Sequence, residues 1–246
     1  FINAINSDTI LVSVMAVNNE TGIIQPIKLV SNIISKSGSP ALFHCDAVQA
    51  FGKVNLKPQK LGVDLMSISS HKIHGPKGVG ALYIRKGARI VPLHYGGEQE
   101  RKIRPGTESL PLICAFAEAV KALPNIDDQH EKIEELWNYC KEKVLEIPNV
   151  YINSPDGVLP YILNISAVGV RSETMLHYLA ESGIYVSSGS ACAKGKKSHV
   201  LTAMGLSPER IDSAIRISFS KFNTKDDIDI FAEKLAEGMK NLAKSR

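Results

Sequence analysis

Six short stretches hold the residues able to do chemistry. In SISSHKIHGPKGVGALYIR, residues 67–85, Lys72 stands between His71 and His74, with Ser69 and Ser70 before it and a glycine-rich bend after it. At a strand end such an amine faces a pocket; the plain alternative is a solvated loop charge with two turn histidines. Asn18 and Asn19 follow the apolar run DTILVSVMAV, Asp46 and Gln49 follow ALFHC, and Arg104 and Thr107 lie in ERKIRPGTES. Cys192 sits among small residues in VSSGSACAKGKKSHVL, and Arg216 interrupts the alternating run SAIRISFSKF.

These types suggest particular reactions. A carboxylate emerging from a buried run needs a partner, because an unpaired buried charge is expensive; Asp46 either caps the segment AVQAFG or meets a ligand. Lysine and aspartate on neighbouring strand ends suit pyridoxal phosphate, whose aldehyde forms a Schiff base with an amine and whose ring nitrogen needs an acid partner. Lys72 and Asp46 make that pair. Ser69, His71 and Thr107 carry hydroxyl or imidazole groups suited to phosphate oxygens. GPKGVGAL lacks the GK[ST] ending of a P-loop and leads into a strand, and His71 with His74 has no third metal ligand nearby. Cys192 precedes Lys194, Lys196 and Lys197, cations that favour a thiolate. Cys45, Cys114 and Cys140 stand among apolar neighbours and are expected in the core. Arg216 either faces solvent or points inward at an anion, where a bidentate arginine is a natural carboxylate clamp.

Positioning these groups requires strands and turns. Residues 8–17 form a continuous apolar run typical of a strand buried on both faces of a parallel sheet. QPIKLVSNIISKSG has helical spacing and a glycine stop, and ALFHCDAVQ, VDLMSISS and GALYIR read as further strands, the last antiparallel to its predecessor. The pattern is α/β. Residues 111–122 and 128–146 read as helices, the second with Ile133, Leu136, Tyr139, Cys140 and Val144 on one stripe. Short strands at 161–166, 185–187 and 214–219, with helices near 171–182, 198–204 and 224–244, complete a second, α+β domain.

Composition sets the frame. The chain has 246 residues, 44% hydrophobic and 22% charged, with a formal net charge of +4 and dispersed basic residues, so neither nucleic acid nor a membrane surface is the expected partner. No apolar run reaches the roughly 18 residues that span a bilayer, and FINAINSDTI is unlike a secretory signal. A cytoplasmic location is expected. The four cysteines form no CxxC pair, which argues against a disulfide framework or zinc site. Because the chain enters almost at once on a buried strand, an upstream segment is expected.

VSVMAVNNETGIIQPI, FHCDAVQAFGK, DLMSISSHKIHGPKGVGALYIR, ERKIRPGTES, YVSSGSACAKGKKSHVLTAMG and AIRISFSKFNT occur in this order. Together they resemble the pyridoxal-phosphate-dependent cysteine desulfurases of the NifS/IscS type, in the class-V aminotransferase superfamily. The resemblance implies the PLP-dependent transferase type I fold. Residues 1–125 would be the C-terminal part of a large, mainly parallel-sheet cofactor-binding domain, and 126–246 a smaller α+β domain carrying the cysteine loop. The family's N-terminal part, with a phosphate-binding threonine and a ring-stacking histidine, would be lacking.

By matching position, the resemblance makes Lys72 the Schiff-base lysine, Asp46 the partner of the pyridine nitrogen, and Gln49 the neighbour of the ring hydroxyl. Asn19 becomes a cofactor- and substrate-side residue, Ser69 and His71 hold the phosphate, and Thr107 reaches the phosphate of the other subunit in a homodimer with shared sites. Arg216 takes the substrate carboxylate, and Cys192 becomes a persulfide. The implied reaction converts L-cysteine to L-alanine and passes the sulfur to an iron–sulfur scaffold or a tRNA-thiolation enzyme. Relative to the family's longest-looped members, AKGKKSHVL is slightly shorter after Cys192 and carries more lysine, which bears on the acceptor. Alternatives are a selenocysteine lyase or aminotransferase of the same superfamily, or a non-catalytic module that docks sulfur acceptors.

Overall fold

A computed structural model describes residues 2–188 and 198–242. Cys192, Lys194, Lys196 and Lys197 lie outside the described residues. The chain divides into two compact units, one of Phe1–Ala16 with Gln25–Ile126 and the other of Val17–Ile24 with Asp127–Arg246.

In the first unit the strands β1 (Leu11–Met15), β2 (Leu42–Asp46), β3 (Leu65–Ser69) and β4 (Gly80–Ile84) form one sheet in chain order. β1, β2 and β3 run parallel, and β4 returns antiparallel to β3. Helix α1 (Ile27–Ser37) makes the crossover from β1 to β2, burying Ile27, Val30 and Ile34 at helical spacing, and Gly38 closes it at φ 70°. The short helix α2 (Pro58–Leu61) precedes β3. One face of the sheet buries Val12, Phe43, Cys45 and Met66. On the other, Leu11 and Met15 are 50% and 37% exposed, so β1 is not buried on both faces as the apolar run predicts. Helix α3 (Leu110–Lys121) is apolar, yet none of its residues is buried, Cys114 included.

The second unit is built on a three-stranded antiparallel sheet, β5 (Val150–Ile152), β6 (Ile162–Ala167) and β7 (Ala214–Ser218), with β6 in the middle. All six residues of β6 are buried, Asn164 and Ser166 among them. These buried polar groups are hydrogen-bonded: Asn153 Nδ2 donates to Asn164 Oδ1 at 2.8 Å and to Ser166 Oγ at 2.7 Å. The helices are α4 (Ile126–Leu145), α5 (Ser172–Glu181), α6 (His199–Ala203), α7 (Pro208–Asp212) and α8 (Lys225–Asn241). A capping box between Thr224 and Asp227 starts α8. In α4 Trp137 is buried and donates to Ile162 O at 3.0 Å, whereas Tyr139, expected on the buried stripe, turns its hydroxyl to Asp229 at 2.8 Å. The expected strand at 185–187 is reduced to a single bridge between Ser187 and Arg216.

Candidate active site

Parallel strands deliver their last residues to one edge of the sheet, where ligands bind in open α/β folds. β2 ends at Asp46 and its neighbour β3 at Ser69, with Asp46 in register with Ser67. Asp46 Oδ1 accepts the Val48 amide at 2.9 Å, which starts the tight turn over 47–54 that carries Gln49. The carboxylate therefore does cap that turn, and it does so with one oxygen. Two residues earlier on the same face, His44 links three strands: Nδ1 lies 2.7 Å from Ser13 Oγ and Nε2 3.0 Å from Ser67 Oγ.

Directly after β3 the chain makes a single 3₁₀ turn, Ser70–Ile73, that places half-buried Lys72 one turn beyond the strand end. His74 leaves the turn at φ 65°, a left-handed conformation, and the Gly75 amide returns to Ser70 O at 3.1 Å. A Cβ at position 75 would overlap the buried Ser70 hydroxyl, so glycine permits this close approach. Ser69 Oγ and His71 Nδ1 lie 2.6 Å apart. Burial, with the Lys72 charge adding to it, pulls the Lys53 amine down to about 8. Thr107 is exposed, and among the described residues no hydrogen bond joins it to Ser69 or His71.

Asn19 and Arg216 meet in the second unit. Asn18 Oδ1 accepts the Glu20 and Thr21 amides at 2.9 and 3.0 Å, and Gly22 closes the turn at φ 79° with its amide on Asn18 O. A Cβ at Gly22 would lie 3.0 Å from Leu159 O, so only glycine fits both the angle and the space. The turn is fastened to the sheet by Ser154 Oγ on Thr21 O and Asn164 Nδ2 on Glu20 O. Arg216 Nη1 then donates to Asn19 O at 2.9 Å, and Nη2 to Ser187 Oγ at 3.2 Å. Its neighbours Ile215 and Ile217 are buried on the opposite face, so the arginine points inward at this turn. Nε is buried and has no hydrogen-bond partner among the described residues. Burial lowers the guanidinium's pKa, against an opposing effect of Glu20.

Four participants escaped the sequence reading: Glu20, His44, Ser187 and Ser198. Strand alternation puts His44 on the face of Asp46, a signal that was available; the other three depend on contacts between distant segments. Of the cysteines, Cys45 and Cys140 are fully buried as expected, and burial raises their thiols to about 11 and about 12. Cys114 is exposed because α3 buries no residue, which corrects its expected core position. At pH 8, iodoacetamide is expected to leave Cys45 and Cys140 unmodified in the folded chain, as read by peptide mass mapping.

Comparison with known proteins places this geometry. The chain is 42% identical over 244 residues to a curated cysteine desulfurase IscS of Methanosarcina thermophila, covering 98% of this chain and 60% of that protein. It spans about 60% of the length of this and similar curated relatives. A solved NifS-like protein superposes with a TM-score of 0.90 at 40% identity, covering 98% of this chain and 64% of that one. SspA, solved in complex with cysteine, gives a TM-score of 0.74 at 32% identity over 91% of this chain and 62% of its own. The expected PLP-dependent transferase type I fold is thus present, as a partial domain with a parallel-dominated sheet. Residues 1–231 match the aminotransferase class-V family, and the chain belongs to that family.

Proposed function

We propose that this chain is part of a pyridoxal-phosphate-dependent cysteine desulfurase that converts L-cysteine to L-alanine and an enzyme-bound persulfide. One observation carries the reading. Asp46 and the turn holding Lys72 leave adjacent parallel strands at the same sheet edge, in a chain 42% identical to a curated cysteine desulfurase.

The donor set fits the cofactor. A carboxylate suits the ring nitrogen, an amine the aldehyde, and the Ser69–His71 pair the phosphate, while the Val48 amide fixes Asp46 in one orientation. When bound, pyridoxal phosphate withdraws electrons from the Cα of an attached amino acid. Asp46 would hold a proton at the ring nitrogen and Gln49 would lie beside the ring hydroxyl. Lys72 would hold the aldehyde carbon in the resting state and, once displaced by substrate, take the Cα proton as general base. Ser69, His71 and Thr107 would bind phosphate, Thr107 that of the other subunit. Asn19 would stand on the cofactor and substrate side, and Arg216 would clamp the substrate carboxylate. The Cys192 thiolate would attack the substrate sulfur, forming an S–S bond as the C–S bond breaks with its electron pair left on Cβ; a proton taken up at Cβ and return of the Cα proton from Lys72 would complete alanine.

In this reading 1–125 is the C-terminal part of the large cofactor domain and 126–246 the small domain. The protein is a cytoplasmic homodimer with shared sites; exposed Leu93, Tyr95 and the uncovered α3 support an interface in that region. Its sulfur goes to an iron–sulfur scaffold or a tRNA-thiolation enzyme, without direct contact to nucleic acid or membrane. Among the described residues no helix is long and apolar enough to cross a membrane.

Borohydride reduction of the purified protein with pyridoxal phosphate, followed by peptide mass mapping, tests the reading. A single pyridoxyl group on Lys72 supports it; label spread over surface lysines counts against it. Arg216→Lys keeps the charge and loses the fork, so KM for L-cysteine should rise about 100-fold, with kcat changing less than about threefold, in steady-state assays of the loaded protein.

A further inference from the structure

The consecutive carbonyls of Asn19, Glu20 and Thr21 are each held by a side chain from or beside the three-stranded sheet. Arg216 Nη1 donates to Asn19 O at 2.9 Å, Asn164 Nδ2 to Glu20 O at 3.1 Å and Ser154 Oγ to Thr21 O at 2.8 Å. The Glu20 carboxylate is met separately, by the Ser198 hydroxyl at 2.5 Å. Asn164 and Arg216 are cross-strand partners on β6 and β7, so their side chains leave the sheet side by side on one face. Asn164 is fully buried, and the reaction described above gives it no part.

The Asn164 amide can act only one way round. Arg210 offers only donors, and its Nη2 meets Asn153 Oδ1. Asn153 therefore presents Nδ2 to Asn164 Oδ1 at 2.8 Å and to Ser166 Oγ at 2.7 Å. Ser166 gives its own proton to Arg210 O at 2.7 Å, so towards Asn153 it can only accept. Asn164 in turn presents Nδ2 to the Glu20 carbonyl, another group that can only accept. The donors thus run in one direction, from half-buried Arg210 through Asn153 and Asn164 to the turn. Both asparagines are buried, where an unmade hydrogen bond is most costly.

We propose that Asn164 is a positioning residue for Arg216: by fixing the Glu20 carbonyl it fixes the adjoining Asn19 carbonyl, against which the guanidinium is aligned to receive a substrate carboxylate. The inference rests on the desulfurase reading for the ligand of Arg216. Nη1 is engaged by Asn19 O and Nη2 by Ser187 Oγ, so the place of that carbonyl sets where the remaining N–H groups point. A shifted carbonyl turns the fork away from the carboxylate, and misplacement near 1 Å is enough to cost about 100-fold.

Calorimetric titration of the full-length, cofactor-loaded protein with L-alanine and with L-alaninamide, which lacks the anionic carboxylate, tests this. The variants are Asn164→Ala, Asn164→Asp, Asn153→Asp, and Asn153→Asp combined with Asn164→Ala. Asn153→Asp keeps the contact with Arg210 and loses the Nδ2 donor, so Asn164 must turn its own donor away from Glu20 O; among the described residues Asn153 bonds neither Asn19 nor Arg216. Each single variant is expected to cut the parent's preference for alanine over alaninamide about tenfold, with alaninamide affinity within about twofold. KM for L-cysteine should rise about tenfold and kcat stay within about threefold. The combined variant should be no worse than the worse single one, because both changes act through the same bond. Hydrogen exchange followed by mass spectrometry should show the Glu20 and Thr21 amides exchanging at least about fivefold faster while α8 stays protected. Asn164→Ala adds no buried charge and decides the matter where an aspartate variant loses the α8 protection. An unchanged preference in Asn164→Ala, an equal loss of both ligands, or a parent that does not distinguish them would overturn the proposal. A parent that makes no alanine from L-cysteine defeats the desulfurase reading alone, and the ligand preference and exchange rates still decide for or against Asn164.

Discussion

Lys72→Ala in the full-length, cofactor-loaded protein is expected to reduce alanine formation from L-cysteine on the order of 10⁴-fold. The size follows from two losses at one atom. In the proposed reaction this amine would both fix the cofactor's aldehyde and take the Cα proton. Folding should survive, because Lys72 is half-buried on a turn whose backbone bonds, such as Gly75 N to Ser70 O, do not use the side chain. The measurement pairs steady-state alanine production with a thermal melt. A stable variant that retains more than a tenth of the parent activity would remove Lys72 from the mechanism.

Cys192→Ser is expected to abolish persulfide formation and to lower alanine release from L-cysteine on the order of 10³-fold, since a hydroxyl cannot take the sulfur. The control reactions give the experiment its discrimination. An aminotransferase keeps its transamination after this change, and a selenocysteine lyase keeps its activity on selenocysteine. Persistence of cysteine desulfuration in the serine variant would instead sink the assignment of Cys192 and the persulfide route with it. Cys45 and Cys140 cannot stand in for it, being fully buried with thiols raised to about 11 and about 12.

Much of this architecture was legible in the sequence because its signals are local. The α1 pattern with its Gly38 stop, the three runs that became β2, β3 and β4, and the long periodic helices α4 and α8 all repeat at the period their geometry demands. The short elements α2, β5 and α7 carry no apolar pattern of their own and were missed. Tyr139 was expected on the buried stripe and Trp137 was not named, because the α4 pattern alone does not reveal that the indole finds a carbonyl, Ile162 O, to bond. The candidate site followed the same rule. Asp46 and Lys72 could be placed from strand ends, whereas Glu20 and Ser198 are separated by 178 positions and become neighbours only through folding.

β1 ends the first sheet on one side, with β2 as its only neighbour among the described residues. No other strand pairs with its outer edge among the described residues, and Ile10 and Leu11 beside it are 81% and 50% exposed. Such a margin is a template for strand addition. With a net charge of only +4, long-range repulsion between copies is weak. The colloidal behaviour of the chain in solution is therefore governed by what is docked along β1: a strand laid there would protect it, and in its absence self-association should climb with concentration.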